Sequence, residues 1–403
     1  MQITRNEIKL MQLESQGLLN PFPKNADKPD VLKTIQKIEL LQIDTINVVA
    51  RSPYFVLWSR LGNYQKQWLD QTHAEGHLFE YWAHAACFIP IEQYPLFLAG
   101  MTEEKSGWKN ADTWRDNHVG LVNLVLEKIK NNGPTKSSDF VRKDIKTSGW
   151  WDWKEEKIAL EYLWTHGDLM IAYRNNFQRY YDFTEKVFPD FNKNQISIEQ
   201  ATRDKVERTI RVLGATRLKW IADYYRLKKA TLTRVIKELI QSNKVFTIQS
   251  SDWNEEIYIH NSQKELFENA ISDQLIPTKT SLLTPFDPLI WDRQRTREIF
   301  NFEYTIECYL PAKKRKFGYF CLPILYNGNL VGRIDAKANR IDKIFEIKSI
   351  HFENEFIPDE IFFSEFSAAV KSCASWHSTP TIKLNEIIPA FIKTNLESKL
   401  SIG

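Results

Sequence analysis

Between residues 119 and 260 one plan of elements is written twice. VGLVNLVLEKIKNN spaces its apolar residues as a helix and stops at Gly133-Pro134. TKSSDFVRKDI predicts a short second helix, with Ser and Asp available as caps, and EEKIALEYLWTHG a third, stopped by Gly167. DLMIAYRNNFQRYYDFTEKVF then alternates as two strands joined by a turn at Asn175-Asn176. The second copy runs through ISIEQATRDKVERTIRVLG, ATRLKWIADYYRL and KKATLTRVIKELIQSN, and closes with the hairpin KVFTIQSSDWNEEIYIH. Three helices followed by a hairpin is the plan of a winged helix. Two copies in succession indicate a tandem array.

The flanks extend this reading. Residues 4 to 18 and 30 to 38 have helical spacing and are separated by the breaker-rich NPFPKNADKP; they suit a third, divergent copy. An aromatic helix is expected at about 53 to 61, and IEQYPLFLAGM also reads as helical. Beyond residue 280 the chain becomes rich in β-branched and aromatic residues, with a turn at Asn327-Gly328-Asn329. A small sheet or barrel is expected there, followed by helices at about 358 to 371 and 384 to 397. The fold class is α+β: tandem winged-helix (helix-turn-helix) domains with a C-terminal β-barrel-like domain. The expected boundaries are 1–115, 116–195, 196–265 and 266–403.

A chain of 403 residues, 43% hydrophobic with 13 Trp, 15 Tyr and 24 Phe, can bury a large core. Its net charge of +3 permits nucleic acid as a partner without demanding it. MQITRNEIKLMQ has no apolar leader, and no run of about 18 apolar residues occurs, so a cytoplasmic, monomeric protein without a membrane partner is expected. Cys87, Cys308, Cys321 and Cys373 are scattered and read as reduced core residues. No phosphate-binding G-x-x-x-x-G-K-[ST], no G-x-G-x-x-G and no G-x-S-x-G occurs. His73 and His77 have the i, i+4 spacing of a metal-binding helix, but no third ligand accompanies them; they read as structural, and no metal or cofactor is expected.

Basic residues recur through the two copies, among them Arg142, Arg174, Arg179, Arg217, Arg226 and Arg234. KKRK at 313–316 and the cluster Arg293, Arg295 and Arg297 offer a second basic surface. Such groups contact phosphates in helix-turn-helix proteins, or line a solvated face. A different residue stands out in LLQIDTINVVARSPYFVLWSRLG (40–62), where Gln42 and Asp44 interrupt an apolar run. In an extended segment their side chains share one face, with Ile43 on the other. Alternatively, Asp44 caps the following helix or pairs with Arg51 or Arg60.

Several segments resemble the AlkZ/YcaQ family of bacterial DNA glycosylases. They are Q-I-D-T-I-N-V-V-A-R, L-W-S-R-L-G, L-F-E-Y-W-A-H-A-A, S-L-L-T-P-F-D-P-L-I-W-D-R, K-R-K-F-G-Y-F-C-L-P-I-L and L-V-G-R-I-D-A-K-A-N-R, and the resemblance spans roughly residues 5 to 350. It implies three tandem winged helices completed by a C-terminal β-barrel domain, and removal of alkylated bases from DNA. The family's branches differ at the catalytic pair. Gln42-Ile43-Asp44 is similar to the Gln-aliphatic-Asp pair of the YcaQ (AlkX) branch, not to Gln-aliphatic-Gln. That branch implies a monofunctional glycosylase acting on N7-alkylated guanine in double-stranded DNA, including unhooking of interstrand crosslinks. Asp44 is then the base and electrostatic stabiliser and Gln42 its positioning partner. Arg51, His84, Arg179 and Arg234 are the expected DNA contacts, with Glu80 a weaker candidate for the site wall. The rivals are a non-enzymatic winged-helix regulator, which would not need Asp44, and a nuclease, which would need clustered acids for metal.

Overall fold

The protein is described from a computed structural model, which covers residues 2–102, 111–140, 155–189, 196–385 and 388–400. It divides into two compact units, Met1–Lys66 with Ala83–Cys87 and Val206–Gly403, and Gln67–Trp82 with Phe88–Lys205. No helix among the described residues is long and apolar enough to cross a membrane.

In the first unit, helix Arg5–Ser15 starts at Thr4, whose hydroxyl accepts from Glu7 N–H while Glu7 reaches back to the Thr4 amide. Both orphan donors of the first turn are thereby satisfied. The buried face of this helix carries Leu10 and Leu13, which join Leu18 and Leu19 in one core with Leu283, Leu289, Ile290, Phe302, Leu325 and Leu330. The N-terminal segment is thus part of the C-terminal core. A second helix, Lys28–Ile38, is capped by Asp27 with Asp30 at N3 and carries Pro29 in its first turn, so the breaker-rich stretch ends in a start signal.

A second core in this unit packs Val206 and Ile210 against Ile221, Leu232, Val235, Ile236, Leu239 and Val245. These residues come from helices Ile198–Leu213, Leu218–Tyr224 and Lys229–Gln241 and from the first strand of the hairpin Val245–Ser250/Glu256–His260. The expected elements are all present. Two short strands escape sequence periodicity: Ala215–Thr216 pairs antiparallel with Glu256–His260, and Gln2–Ile3 pairs parallel with Val245–Ser250. Both hairpin edges are covered, which blunts their capacity to pair with other chains.

The C-terminal sheet has five strands in the order Thr280–Leu282, Cys321–Tyr326, Asn329–Asn339, Ile344–Phe352 and Thr381–Leu384. Neighbours are antiparallel except the last pair, and helix Glu360–Trp376 makes that parallel crossover. Asn327 and Gly328 turn between strands with φ of +43° and +78°, which Asn and Gly tolerate best. The outermost strands do not pair with each other, so the expected barrel is an open half-barrel.

The second unit holds helices Gln67–Ala74, Tyr94–Thr102, Val119–Asn132 and Glu155–Thr165 and the hairpin Leu169–Asn175/Gln178–Phe183. Strand Leu78–Trp82 also belongs to this unit, whereas strand Ala86–Pro90 begins in the first unit. The hairpin turn falls on Asn176 and Phe177, at φ of +49° and +66°, one residue later than the sequence suggests. Of the short helix expected in TKSSDFVRKDI, residues 135–140 show only a 3-10 turn at Ser137–Asp139, and residues 141–145 lie outside the described residues.

Candidate catalytic site around Asp44

The segment bearing Gln42 and Asp44 is fixed at both ends. At its start, Glu39 closes helix Lys28–Ile38 with φ of +60°, a strained value for a glutamate. Its buried carboxylate is gripped by Arg208 (3.0 and 2.8 Å) and Arg211 (3.0 Å). The chain then extends over Leu41–Gln42, and Ile43 N–H donates to Ala86 O (2.8 Å). Regular structure ends there, and residues 43–47 form a loop. At its far side Ala338 N–H donates to Val48 O (2.9 Å), and helix Ser52–Leu61 follows.

Within the loop, Asp44 makes an Asx turn: its Oδ1 accepts from Ile46 N–H at 2.7 Å. This local bond replaces the alternatives open from sequence. Helix Ser52–Leu61 has Arg51 at its N-cap and no side-chain cap, so Asp44 is not that cap. Arg60 is committed to Asp287 through two bonds of 2.7 and 3.0 Å, with both side chains buried. No cation among the described residues ion-pairs with Asp44. Partial burial therefore raises its pKa above the ordinary 3.8, opposed only by the Ile46 N–H. Cys308 and the exposed Tyr309 feel the Asp44 charge. Gln42 is 9% exposed, and its Oε1 is shielded from solvent with no hydrogen-bond donor among the described residues. A half-buried carboxylate that ion-pairs with no cation among the described residues can engage a polar reactant but adds little to stability.

The other expected site residues fall into different roles. Arg51 sits at the N-cap of the helix that follows the loop. Burial first, and then the Arg51 charge, lowers the pKa of Arg340, so the two cations are neighbours. Arg234 lies exposed on helix Lys229–Gln241, 3.7 Å from Glu238 one turn on. His84 stacks on Trp291 with ring centroids 4.2 Å apart and planes 10° apart. Its Nδ1 lies 3.1 Å from Asp223 O and its Nε2 3.2 Å from Arg226. Burial, helped by Arg226, holds its pKa down to about 4, so it is neutral and offers no charge to a phosphate.

Arg179 does not present a free guanidinium. It faces Glu80 (3.3 Å) and Glu161 (3.0 Å) and lies over the Trp164 ring (4.4 Å) in the second unit. Glu80 in turn receives Arg174 at 2.5 and 2.7 Å. Burial opposes its ionisation, but Arg174, Arg179 and their hydrogen bonding outweigh this and bring its pKa to about 2. Both residues are explained by this internal cluster. His73 lies 4.0 Å from Glu80 but is neutral, because burial lowers its pKa to about 4. His77 is 54% exposed, so the i, i+4 pair does not act together.

Three groups that hold these residues were not singled out by sequence reasoning. Asp287 anchors Arg60 across 227 residues of chain. Arg340 bonds the loop at Asn47 and Val49. Trp291 covers His84. All three stand in segments that carry the family resemblance, and that was the only available signal. Asp335, in the same segments, accepts from Tyr319 N–H (3.1 Å) and Phe320 N–H (3.4 Å) and is structural.

The chain belongs to the AlkZ-like DNA glycosylase family, whose description, DNA glycosylase AlkZ-like, matches residues 35–376. That span includes the Asp44 loop, Asp287 and Arg340. Among solved structures, the fold is similar to the DNA glycosylase AlkZ of Streptomyces sahachiroi, with a TM-score of 0.61 over 96% of this chain and 100% of that one. Sequence identity there is 12%, so the likeness speaks for the fold.

Proposed function

We propose that this chain is a monofunctional glycosylase that hydrolyses the N-glycosidic bond of N7-alkylated guanine in duplex DNA and unhooks interstrand crosslinks built on that adduct. The observation that carries the reading is Asp44: a half-buried carboxylate that ion-pairs with no cation among the described residues, with a raised pKa and one backbone N–H holding it. An N7-alkylated guanine is cationic and leaves readily. The demanding part is the deoxyribose, which gains positive charge as the bond to N9 lengthens. Asp44 supplies the missing counter-charge and accepts a proton from the attacking water. Water oxygen bonds to C1′, the C1′–N9 electrons leave with the neutral N7-alkylguanine, and the proton passes from Asp44 to solvent. Gln42, on the short extended stretch two residues before Asp44, is read as its positioning partner.

A lyase step would require an accessible neutral amine. Lys279 has its pKa lowered to about 7, chiefly by burial, yet it is 1% exposed and donates to Asn20 O (3.2 Å). The helix-helix-helix-hairpin plan is read as winged helices that engage DNA, with Arg51 and Arg234 as phosphate contacts. The protein is taken to act as a cytoplasmic monomer. The test is incubation with duplexes carrying either an N7-methylguanine or an N7-linked interstrand crosslink, with scoring of abasic product. Abasic sites from both substrates support the reading. Binding without product from either would favour the non-enzymatic regulator.

A further inference from the structure

The loop that carries Asp44 has no regular structure of its own, so something outside it must hold its shape. Two groups at one end of strand Asn329–Asn339 do so. Ala338 N–H donates to Val48 O at 2.9 Å. Arg340, just past that strand's end, donates through Nη2 to Asn47 Oδ1 at 3.0 Å and also to Val49 O, and through Nη1 to Asn47 O at 3.4 Å. Arg340 thus binds three acceptors within residues 47–49 with one planar fork. It does this despite nearby positive charge, since Arg51 and burial disfavour its ionised form. An ammonium could not span these acceptors in the same way.

We propose that Arg340 is a positioning residue for catalysis, clamping residues 47–49 so that Ile46 N–H stays on Asp44 and the carboxylate stays aimed at the reacting sugar. The proposal rests on the reading of Asp44 as the catalytic carboxylate. It separates Arg340 from a phosphate contact, because its fork is engaged with the protein's own carbonyls. Loosening the clamp changes the chemical step, and a small misplacement of a catalytic group is enough for a large effect. Without the Ile46 N–H bond, nothing offsets the burial that raises the Asp44 pKa, so the acid limb of the rate profile moves to higher pH.

The experiment is single-turnover excision of N7-methylguanine from duplex DNA, with rate at saturating enzyme, duplex affinity and pH profile measured for each variant. Arg340→Ala and Arg340→Lys should lower the saturated rate by ~10-fold or more, leave duplex affinity unchanged and move the acid limb upward. Asn47→Ala removes one acceptor from the loop side without changing Arg340 or strand Asn329–Asn339, and should show the same pattern more weakly. A wild-type saturated rate in Arg340→Ala overturns the proposal. So does a defect confined to affinity, which would make Arg340 a phosphate contact. Asp44→Asn is measured in parallel. If it is inactive while Arg340→Ala is fully active, only the clamp is wrong; if Asp44→Asn keeps the wild-type rate, the catalytic reading fails and the clamp with it.

Discussion

Asp44 sets stability against use at the scale of a single side chain. Burial raises its pKa and no cation among the described residues ion-pairs with it, so the folded state disfavours the charge that the proposed chemistry needs. The sign of the linkage follows. A carboxyl whose folded pKa lies above its unfolded value stabilises the fold below the unfolded value and loses that contribution as pH rises through the folded one. Asp44→Asn keeps an oxygen for the Ile46 N–H and removes the charge. Its melting temperature at neutral pH should therefore equal or exceed that of the wild type, and calorimetry checks this. A clear loss of stability would mean that the charge itself holds the loop. Gln42 belongs to the same account, since its buried Oε1 has no hydrogen-bond donor among the described residues and is a local weakness in stability.

At the scale of elements, helix Ser52–Leu61 and the segment before helix Arg293–Phe300 are joined by the buried pair of Arg60 and Asp287. The remaining Arg60 donors reach Gln16 O (2.8 Å) and Val56 O (3.1 Å), so the guanidinium is well satisfied. Removing one partner strands the other charge in the core. Asp287→Ala should destabilise the protein by about 3–5 kcal/mol, read from urea unfolding. A change within error would show that Arg60 finds another partner. The pair also marks a limit of sequence reading. Arg60 and Asp287 each stand in a segment with strong family resemblance, yet nothing in either indicates the other across 227 residues. Helices were legible because apolar spacing and caps such as Thr4 and Asp27 are local signals. Strands Gln2–Ile3 and Ala215–Thr216 were not, because two residues carry no period. Asp44 was legible as an oddity, but its Asx turn and the clamp from Arg340 are products of tertiary structure.

At the scale of the whole molecule, several imidazoles are buried neutral. Burial, first among the causes, lowers His73 and His84 to about 4 and His377 to about 3. Between about pH 6.5 and 4 the unfolded chain binds protons that these residues refuse in the fold. Stability is therefore fully present above about 6.5 and is lost as pH falls, by up to about 1.4 kcal/mol per pH unit for each such histidine. Glu80, with its folded pKa of about 2, adds a loss of the same sign as pH falls below its ordinary 4.5. Melting temperatures measured from pH 7 to 5 should decline steeply. A flat profile would mean that these sites admit protons in the folded state.

The central claim is that the Asp44 carboxylate carries the chemistry, and one measurement tests it most directly. Purified wild-type protein and Asp44→Asn are compared in single-turnover excision of N7-methylguanine from duplex DNA at saturating enzyme. Loss of a positioned base that also stabilises developing charge should lower the rate by roughly 10² or more. Duplex affinity should stay unchanged. A folded Asp44→Asn protein that excises the base at the wild-type rate would contradict the account and leave Asp44 with its Asx turn as a purely structural residue.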